Sequence, residues 1–274
     1  MAARPELDTI FHELDELVGL REVKHLIREL TAFIEIQGRR GEMGLATEPL
    51  ALHMVFQGNP GTGKTTVARL LGRLFKEINV LPKGHLVEVE RADLVGEYIG
   101  HTAQRTREQI KRALGGILFI DEAYSLARGG EKDFGKEAID TLVKAMEDHK
   151  DELVIVLAGY HLEMQSFLQT NPGLHSRFPI RLEFQDFNLE ELLEIASRML
   201  RRRQYRLTQT AQLQMVAILE ARVRDGSHHT GNARLVRNII EKSIRRQALR
   251  LVNKGQPSRE ELMTIEDQDL RDPV

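Results

Sequence analysis

The sequence predicts an α/β domain on a five-stranded, mostly parallel sheet between helices, followed by a small all-helical domain. Short apolar runs alternate with helix-period segments from Leu52 to Phe184, and such alternation lays strands side by side under helices on both faces. Two of the runs, Ile117–Ile120 (ILFI) and Leu153–Ala158 (LVIVLA), hold no polar residue, as expected of strands buried on both sides. After Asp186 only helical stripes recur, which predicts the second domain. The boundary is placed at 1–186 and 187–274.

Each element follows from its pattern. Residues 6 to 40 read as amphipathic helices broken at Leu17-Val18-Gly19-Leu20 and resuming from Val23 to Ile36. The polar stretch GRRGEMGLATEP reads as a loop. Leu52–Gln57 (LHMVFQ) is the first strand, and Val67, Leu70, Leu71, Leu74, Phe75 and Ile78 then recur at helical spacing. His85–Glu90 (HLVEVE) alternates with period two, and Thr102–Ala113 is a charged helix. After the Ile117–Ile120 strand, Ile139, Leu142, Val143 and Met146 mark a helix, and Ile180–Phe184 (IRLEF) alternates again. Right-handed crossovers bring the strand carboxyl ends to one edge, where ligands bind in such sheets. The second domain shows three stripes, centred on Leu192, Val216 and Ile240.

Composition bounds the partners. Hydrophobic residues make up 41% and charged residues 29%, enough for a core of useful size. A net charge of -2 gives no global electrostatic reason to expect nucleic acid. Arg201-Arg202-Arg203 is read as a solvated helix end, where cations suit the dipole. His228-His229 lacks a carboxylate or Cys at ligand spacing and is read as loop. With no cysteine there is neither disulfide nor thiolate site. No apolar run is long enough to span a bilayer, and the acidic, interrupted N-terminus is unlike a signal peptide, so a cytoplasmic location is expected.

Gly58-Asn59-Pro60-Gly61-Thr62-Gly63-Lys64-Thr65 matches the phosphate-loop pattern G-x-x-x-x-G-K-[ST] in full, and Thr66 continues it. Glycines let the backbone wrap so that its N–H groups face phosphate oxygens. Lys64 brings a mobile charge to the outer phosphates, and the Thr65 hydroxyl suits Mg²⁺. The helix that follows adds its positive end. A chance match in a chain this long is roughly one in a hundred, and the strand before and helix after supply the required context. ATP and Mg²⁺ are therefore the expected ligands.

The Ile117–Ile120 strand ends in Asp121 and Glu122. Beside a phosphate loop, Asp121 would anchor Mg²⁺ and Glu122 would orient the attacking water; this strand end is expected next to the loop.

With these residues in place, GNPGTGKTT, ILFIDEAYSL, LAGY, NPGLHSRF and GNARLVRN together resemble the AAA+ ATPases, in the branch that holds red-type Rubisco activases and stage V sporulation protein K. The stretch from Gly84 to Asp148 is especially similar to the sporulation protein. The resemblance implies an AAA+ domain with a helical lid, an ATPase coupled to protein remodelling, and self-association into a ring, by analogy a hexamer. It implies that Val18 and Gly19 clamp adenine, that Tyr98-Ile99-Gly100 is a pore loop gripping a polypeptide, that Arg177 is a finger reaching the neighbouring subunit's site, and that Arg234 is the lid arginine sensing phosphate. The strand LVIVLA commonly ends in a polar residue in this family; here Gly159-Tyr160 follows, so either Tyr160 fills that role by donating a hydrogen bond or the role is absent. A protein substrate, in bacterial sporulation, is the favoured target. A Rubisco-activase-like target and a nucleic-acid motor are the alternatives, the latter disfavoured by the charge balance and the aromatic pore loop.

Overall fold

The structure is a computed structural model describing residues 5–47, 51–98, 100–128, 133–224, 231–252 and 254–271. The chain forms two compact units, one of residues 1–58 and 63–184, the other of residues 59–62 and 185–274.

The first unit runs α1 (Pro5–Asp15), α2 (Arg21–Glu42), β1 (Met54–Gly58), α3 (Lys64–Glu77), β2 (Leu86–Val89), α4 (Arg91–Leu94), α5 (His101–Ala113) and β3 (Ile117–Ile120). A 3-10 turn (Ala123–Ala127) then leads to α6 (Gly135–Asp148), β4 (Val154–Gly159), α7 (His161–Gln169), α8 (Pro172–Arg177) and β5 (Ile180–Phe184). The five strands pair in parallel in the order β2-β3-β4-β1-β5. Side chains alternate across the sheet. Met54 and Phe56 pack with Leu71 and Phe75 of α3 and with Ile10, Leu14 and Ile27. Val55 faces the other layer, with Ile110 of α5, Leu142 of α6 and Phe167 of α7. Each such large side chain withdrawn from water contributes about 1.5–3 kcal/mol, which is why β3 and β4 carry apolar residues on both faces.

Three details differ from the sequence expectation. α2 continues through Gly38 to Glu42, over part of the expected loop, and closes where the Met43 N–H meets the Arg39 carbonyl at 3.1 Å. Each helical glycine costs about 1 kcal/mol, which the packing of Val23, Ile27 and Thr31 earlier in the same helix offsets. α7 and α8 were not anticipated, because two turns hold too few repeats to show a period. α8 is started by Asn171, whose side chain accepts the Gly173 N–H at 2.8 Å. Finally, β4 stands between β3 and β1. The end of β3 is therefore not adjacent to the phosphate loop but one strand removed, roughly 10 Å at ordinary strand spacing.

The second unit holds α9 (Leu189–Arg202), β6 (Arg206–Leu207), α10 (Gln209–Arg224), α11 (Asn232–Val252), α12 (Arg259–Met263), β7 (Thr264–Ile265) and α13 (Asp267–Leu270). A capping box starts α9: Asn188 Oδ1 accepts the Glu191 N–H at 2.9 Å, and Glu191 Oε2 accepts the Asn188 N–H at 3.0 Å. Helix faces meet through Leu192, Ile195, Met215, Leu219, Val236 and Ile240, all buried. The expectation that strands end at Asp186 is corrected by β6 and β7, a parallel ladder of two residues each. Two residues have no period to read. The ladder is held from the side by Gln247, whose Nε2 donates to the carbonyls of Glu261 at 3.0 Å and Thr264 at 2.9 Å. His228 and His229 lie outside the described residues.

Candidate nucleotide site

β1 delivers the loop Gly58–Gly63 to the carboxyl edge of the sheet, and α3 starts directly after it at Lys64. Gly58 has φ +150, and a Cβ there would lie 2.2 Å from the Phe184 carbonyl oxygen. Gly63 has φ +102 and caps α3 with no side-chain hydrogen bond. The first-turn N–H groups of an α-helix have no acceptor within the helix, so Thr65 and Thr66 present donors of the kind that take a phosphate. Lys64 Nζ donates to the Gly58 carbonyl at 2.6 Å, which folds the lysine back over the loop. Thr65 is half-buried and Thr66 exposed.

The turn between α1 and α2 comes close to this loop. Gly19 and Leu20 have φ +63 and +56, and Leu20 Cδ1 would lie 3.6 Å from a Cβ on Gly63. Val18 and Gly19 are half-buried in that turn, so the two proposed adenine contacts stand on the segment that borders the loop's end.

At the end of β3 the Asp121 N–H donates to the Val89 carbonyl at 2.9 Å, and Asp121 Oδ1 accepts the Glu122 N–H at 3.0 Å. Glu122 has φ +46, which turns its exposed side chain out of the strand direction. Burial, the Glu122 charge and Tyr160 hold the Tyr124 phenol well above its ordinary pKa. Tyr160, the residue after β4, is half-buried with its ring centroid 5.8 Å from that of Tyr124. Gln57 pairs with Gly159, so Gly159-Tyr160 fills the gap between the ends of β1 and β3. Tyr124 was not singled out by sequence reading; its signal was only its place two residues after Glu122.

Arg177, the last residue of α8, is elsewhere. Its guanidinium pairs with Glu147 of α6 and donates to the Gly173 carbonyl at 3.2 Å. The next residue, Phe178, packs on His53 with ring centroids 5.9 Å apart. His53 precedes β1, so Arg177 lies at the amino edge of the sheet. Five residues of strand, roughly 17 Å, separate that edge from the phosphate loop of the same chain.

Tyr98 lies between α4 and α5, 66% exposed and edge-on to His101 at 5.4 Å. Its loop is anchored on one side by the Gly96 N–H, which donates to buried Thr102 Oγ1 at 2.9 Å. Gly100, with φ +85, starts α5 on the other. Ile99 lies outside the described residues.

The loop tip, residues 59–62, clusters with the second unit. There Thr62 is fully buried and its Oγ1 donates to the Asn59 carbonyl at 2.8 Å. The Gly61 carbonyl accepts the Ala233 N–H at 3.2 Å. Arg234, exposed in the first turn of α11, follows at once. A Cβ on Gly61 would lie 3.2 Å from Arg234 Cβ. Pro60 bonds through its carbonyl to Asn232 Nδ2 at 3.4 Å. Asp186 and Asn232, which tie this tip in place, were not anticipated as site residues. Asn232 lies within the quoted GNARLVRN segment, but only its Arg234 was given a role there.

Comparison with known proteins follows the same division. A model described as "ATPase family associated with various cellular activities (AAA)" matches residues 54–186, and an AAA lid domain model matches 188–273. Stage V sporulation protein K of Bacillus subtilis (strain 168) is 58% identical over 96% of this chain and 82% of its own length. Protein CbbX of Cereibacter sphaeroides is 46% identical over 96% of this chain and 85% of its own. Among solved structures, the AAA domain of FIGL-1 in complex with ADP has a TM-score of 0.62 at 17% identity, covering 93% of this chain and 80% of that one. The Thermotoga maritima RuvB Holliday junction branch migration motor has 0.61 at 21%, covering 94% and 69%. At such identities the structures share the fold alone.

Proposed function

This chain belongs to the AAA+ ATPase family, and from that premise we propose that it is a ring-forming ATPase that remodels or threads a protein substrate. The observation that carries the ring is the place of Arg177. It stands at the amino edge of the sheet, far from its own phosphate loop, so the site it can serve belongs to another copy of the chain. A guanidinium supplied in trans stabilises the charge that develops on the transferring phosphate.

Within one protomer the reading assigns roles as follows. Gly58, Asn59, Pro60, Gly61, Thr62 and Gly63 wrap the phosphates with backbone N–H groups. Lys64 neutralises the outer phosphates, Thr65 and Thr66 open α3 at the anion, and Val18 and Gly19 border the base. Asp121 and the Thr65 hydroxyl would hold Mg²⁺. Among the described residues no three His, Cys, Asp or Glu side chains are grouped to hold a metal. That fits an ion bound mostly through nucleotide phosphates, the usual habit of Mg²⁺, whose chemistry here is to offset phosphate charge. Glu122 orients the attacking water. Arg234 sits beside the loop tip as the phosphate sensor, and Tyr160 is the group at hand for water between β1 and β3. The exposed Tyr98 grips the polypeptide, with Ile99 and Gly100 completing the pore loop.

The target favoured is a protein of bacterial sporulation, supported by the higher identity to the sporulation relative. A Rubisco-activase-like target is the second reading, supported by the 46% identity to CbbX; activity toward inhibited Rubisco separates the two. No helix among the described residues is long and apolar enough to cross a membrane.

The test is ATP turnover per protomer against protein concentration, repeated with Arg177→Ala. A steep rise that the variant loses supports a shared site. Flat turnover indifferent to Arg177 withdraws the ring mechanism while leaving the phosphate loop in place.

A further inference from the structure

One buried asparagine joins three segments of the second unit. Asn232 is 2% exposed and holds φ +46, a left-handed conformation that Asn tolerates better than most residues. Its Oδ1 accepts the Phe187 N–H at 2.9 Å. Its Nδ2 donates to Asp186 Oδ1 at 2.7 Å and reaches the Pro60 carbonyl at 3.4 Å. The same Asp186 carboxylate accepts from Asn59 Nδ2 at 2.8 and 3.0 Å. The backbone adds the bond from the Ala233 N–H to the Gly61 carbonyl. A Cβ on Gly61 would meet the Gly231 carbonyl oxygen at 2.3 Å, so the two strands of backbone are in direct contact. The amide of Asn232 is thus committed to the loop tip, to the start of the second unit at residues 186–187, and to the first turn of α11, which carries Arg234.

We propose that Asn232, acting through Asp186, is a positioning residue that latches the phosphate-loop tip to the first turn of α11, so that nucleotide binding in the loop is transmitted to the helical unit. The inference rests on the ATP-binding reading. Two features suit the bonds to transmission rather than to filling alone. The Asp186 carboxylate accepts from both Asn59 and Asn232, and hydrogen bonds to an ionised group are the stronger kind. The contact at Gly61 is backbone on backbone, which cannot yield by a side-chain rotation. Coupling of this type is reciprocal: whatever the nucleotide does to α11, a change in the latch does to nucleotide affinity.

Asn232→Asp tests it with little change of shape. The new side chain keeps the tolerance for positive φ and keeps an acceptor for the Phe187 N–H. It also sets a carboxylate oxygen where Nδ2 met Asp186, and two carboxylates at that distance repel. Adding Asp186→Asn restores a donor–acceptor pair with its direction reversed. Affinity for a fluorescent ATP analogue is measured on the full chain, with hydrogen exchange of Ala233–Leu235 and of the first turn of α3, with and without saturating ATP. Asn232→Asp is expected to weaken affinity about tenfold or more and to erase the ATP-induced protection of Ala233–Leu235 while that of α3 persists. The double variant is expected to recover both. Unchanged affinity and unchanged ATP-induced protection in Asn232→Asp overturn the latch. So does equal loss of protection with and without ATP in both variants, the mark of a purely structural cap. Lys64→Ala is run beside them: if it leaves ATP binding intact, the ATP-binding reading itself fails, whatever the latch variants do.

Discussion

Acidification from about pH 7.5 to about pH 5 destabilises the first unit through His53. This side chain is 5% exposed, at the entry to β1, and its Nδ1 accepts the Ile155 N–H of β4 at 3.0 Å. Burial pulls its pKa down from 6.5 to about 4, against an opposing hydrogen bond to the Met146 backbone. A protonated ring would also turn the Nδ1 acceptor into a donor facing the Ile155 N–H. The folded value lies below the unfolded one, so the unfolded chain binds more protons between the two. Stability is therefore full above about pH 6.5 and is lost as pH falls toward 4. At 1.36 kcal/mol per unit the whole loss is about 3 kcal/mol, of which about 2 kcal/mol is felt by pH 5. Urea unfolding of the wild type and of His53→Asn at the two pH values isolates the contribution, because other groups titrate in both. The wild type is expected to lose about 2 kcal/mol more than the variant over this interval. Equal losses would refute the reasoning, since they would mean that His53 binds its proton as readily in the fold as outside it.

Three further outcomes are expected. Gly61→Ala combines φ +75 with a Cβ 2.3 Å from the Gly231 carbonyl oxygen and should weaken ATP affinity roughly thirty- to hundred-fold. Gly44→Ala, at φ +71 with nothing within 4 Å, is the control that carries the dihedral cost without the clash; equal affinities in the two variants would sink the steric argument. Glu122→Gln should keep ATP affinity and lower turnover at least about a hundredfold, and normal turnover would exclude Glu122 as the residue that orients water. Tyr98→Ala removes an exposed ring that stands edge-on to His101, so thermal stability should move by no more than about 0.5 kcal/mol while ATP-driven movement of a polypeptide is lost; retained movement would favour a nucleotide-dependent assembly switch without threading.

Legibility in the sequence followed the length over which a physical rule repeats. β3 and β4 were readable because a strand buried on both faces has no polar residue to interrupt it. The phosphate loop was readable because backbone wrapping demands glycine at fixed steps. α9, α10 and α11 showed their stripes over three turns or more. β6 and β7 were not readable, since two residues define no alternation, and the extension of α2 through Gly38 ran against local propensity and was settled by the packing of its earlier turns. Strand order was also hidden. Nothing within ILFI or LVIVLA states which lies next to β1, and the insertion of β4 between β3 and β1 is what gives Tyr160 its place between the two halves of the site.

The two residue sets least visible in the sequence are also those that decide how the chain could work. To local rules Arg177 is one arginine among many, marked only by the resemblance of NPGLHSRF; once the fold sets Phe178 against His53, its distance from its own phosphate loop follows from strand geometry alone. Asn232 and Asp186 are forty-six positions apart and share no motif, yet Asp186 Oδ1 and Asn232 Nδ2 stand 2.7 Å apart. Local rules could find the glycines, the lysine and the paired carboxylates, because phosphate and water constrain those residue types directly. They could not find a bond whose partners are chosen by the closure of the chain on itself. In a protein whose proposed work is to convert phosphate chemistry into motion, the residues proposed to bind nucleotide are therefore the legible part, and the residues that would carry the signal away from it must be read from the structure.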